Sequence, residues 1–359
     1  MQISHSAKDR FNTCKRSYDL HYNQKIRPVW TTSALLFGGA LDLALNEILL
    51  KTGNDPYEVF KTAWSTCEIN RQFHSAPACT KILYTTKDFD IDVFTQETYA
   101  EISQRITSGE VKEFNYDDLV QKKKVDGWMS LNSDEQAYHN LVNWYSMRNK
   151  AKYLIDAYIT DIMPEFEKIE VVQKEIAADN GAGDTLKGFI DLIAVVKGHG
   201  QVILDNKTSS APYNRKKLDE SEQLSLYAHM EGIPKIGYIV LVKNLKKDTV
   251  KTCKSCRHVT ESSHKTCNNT VNSKRCDGAW SEVIKIRVQT QMMIQDVNAE
   301  TEERMLNNFD STVQEIHTGE FPMVEDVGTC LRMFGNRCPY YDLCHNQKMD
   351  GLIDLKEVK

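Results

Sequence analysis

Long apolar runs are missing from this 359-residue sequence, and none approaches the roughly 20 apolar residues needed to cross a bilayer. The N-terminal stretch MQISHSAKDRFNTCKRSYDLHY has no basic start, no apolar segment and no small-residue cleavage site, so it does not read as a secretory signal. A cytoplasmic protein with no membrane partner is expected. Internal repeats and low-complexity tracts are also absent. Positive charge is short overall: 45 Lys and Arg against 50 Asp and Glu leave a net charge of −5. That excludes a generally basic coat, but not a local patch, because salt confines each field to its surroundings.

What is present is enough apolar content for a sizeable core, with 41% hydrophobic and 26% charged residues. One elaborated domain or two would be ordinary for this length. Ten cysteines without a secretion signal point to metal or cluster ligation before disulfides. Cys253, Cys256, Cys267 and Cys276 form one group; Cys330, Cys338 and Cys344 form another, and Cys14 stands alone near the start. Cys67 and Cys79 fit neither group and are expected to be structural.

The pattern along the chain predicts an α/β protein. Residues 1–165 read as a mostly helical region, with one helix in TSALLFGGALDLALNEILLKTG and a longer one beginning at Ser133. From about residue 169 three strands follow as a meander, IEVVQKEIAA, LKGFIDLIAVV and QVILDNK. A helix over YNRKKLDESEQLSLYAHMEG, the strand IGYIVLVKN, the strand SEVIKIRVQ and a helix over roughly 290–318 complete the core. The expected division is a core of 166–245 plus 280–320, an insertion at 246–279 and a cysteine-bearing tail at 321–359.

Charges inside the apolar strands carry the chemistry. Asp191 interrupts FIDLIAVV, while Asp205 and Lys207 end QVILDNK. Alternation puts Asp205 and Lys207 on one face of their strand and Asn206 on the other. A short turn would bring Asp191 beside them. Paired carboxylates suit a hard divalent cation, and a neighbouring ammonium can stabilise charge developing on a phosphate. An Asp-x-Lys alone is equally the mark of a structural ion pair at a strand end. Gln223 and Tyr227, four apart, share one face of the following helix.

Gly188-x-x-Asp191, Asp205-Asn206-Lys207 and Gln223-x-x-x-Tyr227 together resemble the PD-(D/E)XK nuclease superfamily, in its RecB-like branch. The resemblance implies a restriction-endonuclease-like core, a central mixed sheet flanked by helices. It implies Mg or Mn held by Asp191, Asp205 and the backbone carbonyl of Asn206. Lys207 would be the catalytic lysine, Gln223 would orient it or the substrate, and Tyr227 would support the site or touch DNA. Glu175 is a weaker candidate. Asp42 stands where relatives usually carry a metal-binding His, so it is either a ligand or a helix-surface acid.

Cys14, Cys330-x7-Cys338-x5-Cys344 resemble the split thiolate set of AddB-type and CRISPR-associated RecB-like exonucleases, which implies a structural 4Fe–4S cluster; zinc on the same thiolates is the rival. Cys253-x2-Cys256-x10-Cys267-x8-Cys276 has near zinc-ribbon spacing and predicts a four-thiolate Zn finger, with His258 and His264 as rival ligands. From Lys243 to Cys276 nine Lys or Arg face two acids, a net +7. Lys246, Lys247, Lys251, Lys254 and Arg257 could meet nucleic-acid phosphates, or the finger could dock a protein of recombination or replication. The expected function is a metal-dependent DNA exonuclease acting on single-stranded or frayed ends in recombination, repair or replication. An endonuclease, an RNA-directed nuclease and a decayed nucleic-acid-binding scaffold are the alternatives.

Overall fold

In the computed structural model, which describes residues 1–28, 33–64, 147–179, 183–260, 266–267, 269–271, 274–276, 278–332 and 338–356, a short strand β1 (Gln2–Ser4) leads directly into α1 (His5–Thr13). Ser4 starts that helix by accepting a hydrogen bond from the Ala7 N–H, and the Cys14 sulfur does the same for Ser17 at the head of α2 (Lys15–Tyr18). Strand β2 (Ile26–Pro28) precedes α3 (Ser33–Leu50). Helix α4 (Pro56–Ala63) is capped by Asp55, with Pro56 in the first turn, where no N–H is needed. A further helix, α5, covers 147–157. The described part of the N-terminal region is therefore largely helical. Cys67, Cys79 and the expected helix start at Ser133 lie outside the described residues.

Three antiparallel strands follow, β3 (Phe166–Asp179), β4 (Thr185–Val196) and β5 (Gly200–Ser209). The tight turn between β4 and β5 uses Gly198 and Gly200 at positive φ. The single helix expected after β5 is two: α6 (Arg215–Asp219) and α7 (Glu222–Glu231). They break at Ser221, whose hydroxyl accepts from the Leu224 N–H and so caps α7. This crossover returns the chain to β6 (Lys235–Cys253), which runs parallel to β5. Short strands β7 (Val259–Thr260), β8 (Thr270–Val271) and β9 (Lys274–Arg275) form the finger, and β10 (Trp280–Asp296) returns antiparallel to β6.

The final core helix begins later than its sequence suggests. α8 (Ala299–His317) starts at the Asn298 cap, whereas residues 290–296 stay extended because they pair with Lys235–Leu241 of β6. Ladder bonds to an apolar strand outweigh helix propensity over that stretch. The chain closes with α9 (Val327–Arg332), α10 (Tyr341–Asn346) and β11 (Leu352–Asp354), the last pairing with β2 near the other terminus.

The result is a mixed sheet in the order β1-β4-β5-β6-β10, with β3 on the other side of β4. Helices cover both faces. Phe37, Leu41, Leu154 and Tyr158 pack on one face against Leu192 and Leu204. Phe11, Leu224, Tyr227 and Phe309 pack on the other against Ile190 and Ile203. A third small core joins the chain ends through Cys14, Leu20, Ile26, Cys330, Cys338 and Tyr340. This is the restriction-endonuclease-like arrangement expected from the sequence. Among the described residues no helix is long and apolar enough to cross a membrane.

Candidate active site

The β4–β5 ladder stops at the pair Leu192–Leu204. One step further the two strands splay, and the edge of β4 that β5 leaves is taken up by β1 at Thr185–Lys187. Asp191 and Asp205 occupy the notch so formed. The backbone N–H of Asn206, released from the β4 ladder, donates to Asp191 Oδ2 at 2.9 Å. Asp205 is 3% exposed, and its Oδ2 lies 2.6 Å from Lys207 Nζ. That short ion pair holds the buried carboxylate and the ammonium together in the notch. The Asp205–Lys207 ion pair that the sequence also allowed does form, with its carboxylate buried rather than at the surface.

Asp42 enters the notch from α3. Its Oδ2 accepts from Gln173 Nε2 at 2.9 Å, while its Oδ1 is buried and unpartnered. Burial, reinforced by Asp191 and Asp205, pushes the Asp42 carboxyl up to about 7. Burial also raises Asp191 and Asp205, against the pull of Lys207. For Lys207 burial alone would lower the pKa, but Asp205 and Asp191 outweigh it and hold the ammonium above its ordinary value. Three crowded acids face one cation, and Asp42 Oδ1 has no partner. That donor set fits a hard divalent metal, which takes oxygen ligands and needs the carboxylates ionised.

The floor of the site is a cleft of about 270 Å³ lined by Gly38, Gly39, Asp42, Asp191, Asn206 and Lys207. The two glycines of α3 leave room that larger side chains would fill. A larger hollow of about 580 Å³, bounded by Arg215, His199 and Gln291, lies elsewhere and has no converging carboxylates. The Asn206 side chain points away from Asp205 and Lys207, as alternation requires. Its polar atoms are buried, beside the Tyr158 hydroxyl.

On α7, Gln223 Nε2 donates to the Tyr227 hydroxyl at 3.0 Å. The Tyr227 ring is buried against β4, where a Cβ on Gly188 would stand 2.4 Å from its Cε1. Gly188 and Tyr227 therefore belong to one contact that seats α7 on the strand carrying Asp191. Lys8, 1% exposed, ion-pairs with Glu222 at the start of the same helix, and Asn308 also donates to Glu222. Glu175 does not join the site; it turns to the surface and pairs with Lys187 at 2.9 Å. Gln173, Asn46 and Tyr158 surround the acids without any advance signal in the sequence, since a polar residue on a half-exposed strand or helix is ordinary.

In the finger, Cys253, Cys256, Cys267 and Cys276 present sulfurs all within 4.8 Å of one another. The Cys253–Cys276 and Cys256–Cys267 pairs are each 3.6 Å apart, close to the roughly 3.8 Å edge of a tetrahedral Zn–thiolate site. A Cβ on Gly278 would stand 2.7 Å from the Cys253 sulfur, so the backbone must pass close there. His258 stands outside this group with its ring near Trp280, and His264 lies outside the described residues. Lys246, Lys254 and Arg257 are exposed and Lys251 is half-buried; the Lys247 side chain lies outside the described residues. Cys14, Cys330, Cys338 and Cys344 line a separate cavity near the chain ends. Among the described residues only the finger's four sulfurs close to single-ion spacing.

Comparison with known proteins bears on the whole chain. A family model described as the PD-(D/E)XK nuclease superfamily matches residues 2–345. No curated protein matches the chain. Among solved structures, the crystal structure of SSO0001 is 13% identical, covering 69% of this chain and 96% of its own, at a TM-score of 0.29; an overlap that low carries no argument. The notch of acids between splayed strands and the match over residues 2–345 lead to one identification: the chain belongs to the PD-(D/E)XK nuclease superfamily.

Proposed function

We propose that this protein is a metal-dependent DNA exonuclease of the RecB-like branch, acting on single-stranded or frayed ends in recombination, repair or replication. The observation that carries the reading is the buried convergence of Asp42, Asp191 and Asp205 beside Lys207, with Asp205 ion-paired to Lys207 and Asp42 Oδ1 buried and unpartnered. Asp42, Asp191, Asp205 and the Asn206 carbonyl would hold Mg or Mn, which supplies charge neutralisation at the phosphate and a more acidic water. Lys207, kept protonated by its two acidic neighbours, stabilises charge on the phosphate oxygens and orients the attacking water. Gln223 and Tyr227 fix α7 behind Lys207, and the side-chain-free Gly38 and Gly39 admit the substrate backbone.

The same reading assigns a 4Fe–4S cluster to Cys14, Cys330, Cys338 and Cys344. The four thiolates line one cavity near the chain ends, and four thiolates are the ligand set such a cluster takes. Zinc in the finger keeps Lys254 and Arg257 on a rigid tip, with Lys246, Lys247 and Lys251 along the strand that leads to it, where they meet DNA phosphates. In this reading residues 166–245 and 280–320 form the nuclease core, with 246–279 and 321–359 as finger and tail. A replication or recombination protein is the partner the finger could otherwise dock.

The test is cleavage of end-labelled single-stranded, duplex and circular DNA with Mn or Mg. Release from one labelled end, with circles left intact, is expected and gives the polarity. Nicking of circles would replace the exonuclease with an endonuclease, and RNA cut in preference to DNA would change the substrate. Tight DNA binding without cleavage would favour a binding module, with Asp42 as the altered residue.

A further inference from the structure

We infer that Gln173 is a positioning residue for the candidate metal site, its amide holding Asp42 from a break in strand β3 that lies opposite Asp191. The inference rests on the metal-dependent reading above.

Gln173 sits inside β3, yet its φ is 54°, in the left-handed region. The other described non-glycine residues with positive φ, Lys25, Lys51, Arg257 and Gln347, all lie outside strands. Single residues forced into that region cluster where the surroundings use them. The Gln173 side chain itself is exposed, so its own packing does not call for that angle. The β3–β4 ladder pairs Val172 with Leu192 and Lys174 with Ile190, but omits the intervening pair, Gln173 with Asp191. The departure from strand geometry thus falls opposite a candidate metal ligand.

The side chain accounts for it. Gln173 Nε2 donates to Asp42 Oδ2 at 2.9 Å, across the notch from the skipped ladder position opposite Asp191. An amide nitrogen carries two N–H donors and no charge. It can hold a carboxylate without neutralising it, as a lysine would, and so does not compete with a cation. With Oδ2 of Asp42 occupied, Oδ1 is left buried and unpartnered, the oxygen available to metal. Partners of this kind around a ligand typically change metal affinity about 10–100-fold when removed.

The experiment is Mn titration of the full chain, followed by the spin-resonance signal of free Mn, for wild type, Asp205→Ala, Gln173→Gly and Gln173→Met. Glycine relieves the left-handed backbone and deletes the amide; methionine keeps the length and deletes the amide. Wild type should bind Mn and Asp205→Ala should not. Both Gln173 variants should bind about 10–100-fold more weakly, while Gln173→Gly keeps or raises the Tm. Wild-type affinity in Gln173→Gly would overturn the inference and leave the metal reading standing. A Tm that falls in step with affinity in that variant would also overturn it, in favour of a structural role. If wild type and Asp205→Ala alike bind no Mn, the metal reading itself fails and takes this inference with it.

Discussion

Gly188 and Tyr227 meet so closely that neither can be understood alone. A methyl group on Gly188 has nowhere to go but into a buried aromatic ring. Gly188→Ala is therefore expected to cost about 1–3 kcal/mol, the usual penalty of overpacking, measured by urea unfolding; unchanged stability would contradict the contact. The acids make a prediction of opposite kind. An aspartate in the unfolded chain ionises near 3.9, while Asp42 in the fold keeps its proton to about 7. The folded state binds more protons in between, so this group's contribution to metal-free stability falls as pH rises through that window. Divalent metal binds the ionised form. Mn should thus raise the Tm at pH 7.5 and leave it nearly unchanged at pH 5, and the reverse order in a thermal melt would contradict the assignment. Asp191, Asp205 and Lys207 were legible in the sequence because charge inside an apolar strand is anomalous. Gln173 was not, because its oddity is a backbone angle and an unmade strand pair rather than a residue type.

The β6–β10 hairpin extends well beyond the sheet before it reaches the four finger cysteines. Cys253 still pairs with Trp280 at its far end, and the eight residues from Lys246 to Cys253 would span about 26 Å at strand rise. An arm of that length places Lys254 and Arg257 away from the cleft, where they could grip substrate flanking the cut. Replacing Lys246, Lys254 and Arg257 with Gln should weaken DNA binding and flatten its salt dependence, by about 0.7–0.9 in log–log slope for each phosphate no longer neutralised. An unchanged slope would assign the finger to protein docking instead. The cysteine spacing revealed the finger in advance, since four thiolates fix one geometry. The strand that carries it was less legible. Residues 290–296 look helical alone and become strand only because β6 is there to pair with them. The split between α6 and α7 hung similarly on one side chain, Ser221, choosing to cap.

The ends of the chain meet. Helix α2 begins at Cys14, β2 pairs with β11, and Tyr340 donates from its hydroxyl to the Ile26 carbonyl at 3.1 Å. A cluster on Cys14, Cys330, Cys338 and Cys344 would lock that junction. Protein purified without oxygen should be brown, absorbing broadly near about 400 nm, with Cys14→Ser losing the colour and Cys256→Ser keeping it. A colourless protein with zinc at both cysteine sets would contradict the cluster. The sandwiched sheet was legible from periodicity, and the meeting of the termini from a lone N-terminal cysteine needing partners. The splay between β4 and β5 was not, because it depends on β1 arriving from the far N-terminal end of the sequence to replace β5. The central claim is that the acids and lysine in that splay perform hydrolysis. Its most direct test is Mn-dependent cleavage of end-labelled DNA by wild type, Asp205→Ala and Lys207→Ala. Both variants should lose at least about 100-fold in turnover while keeping the fold and DNA affinity, and wild-type turnover in either would contradict the account.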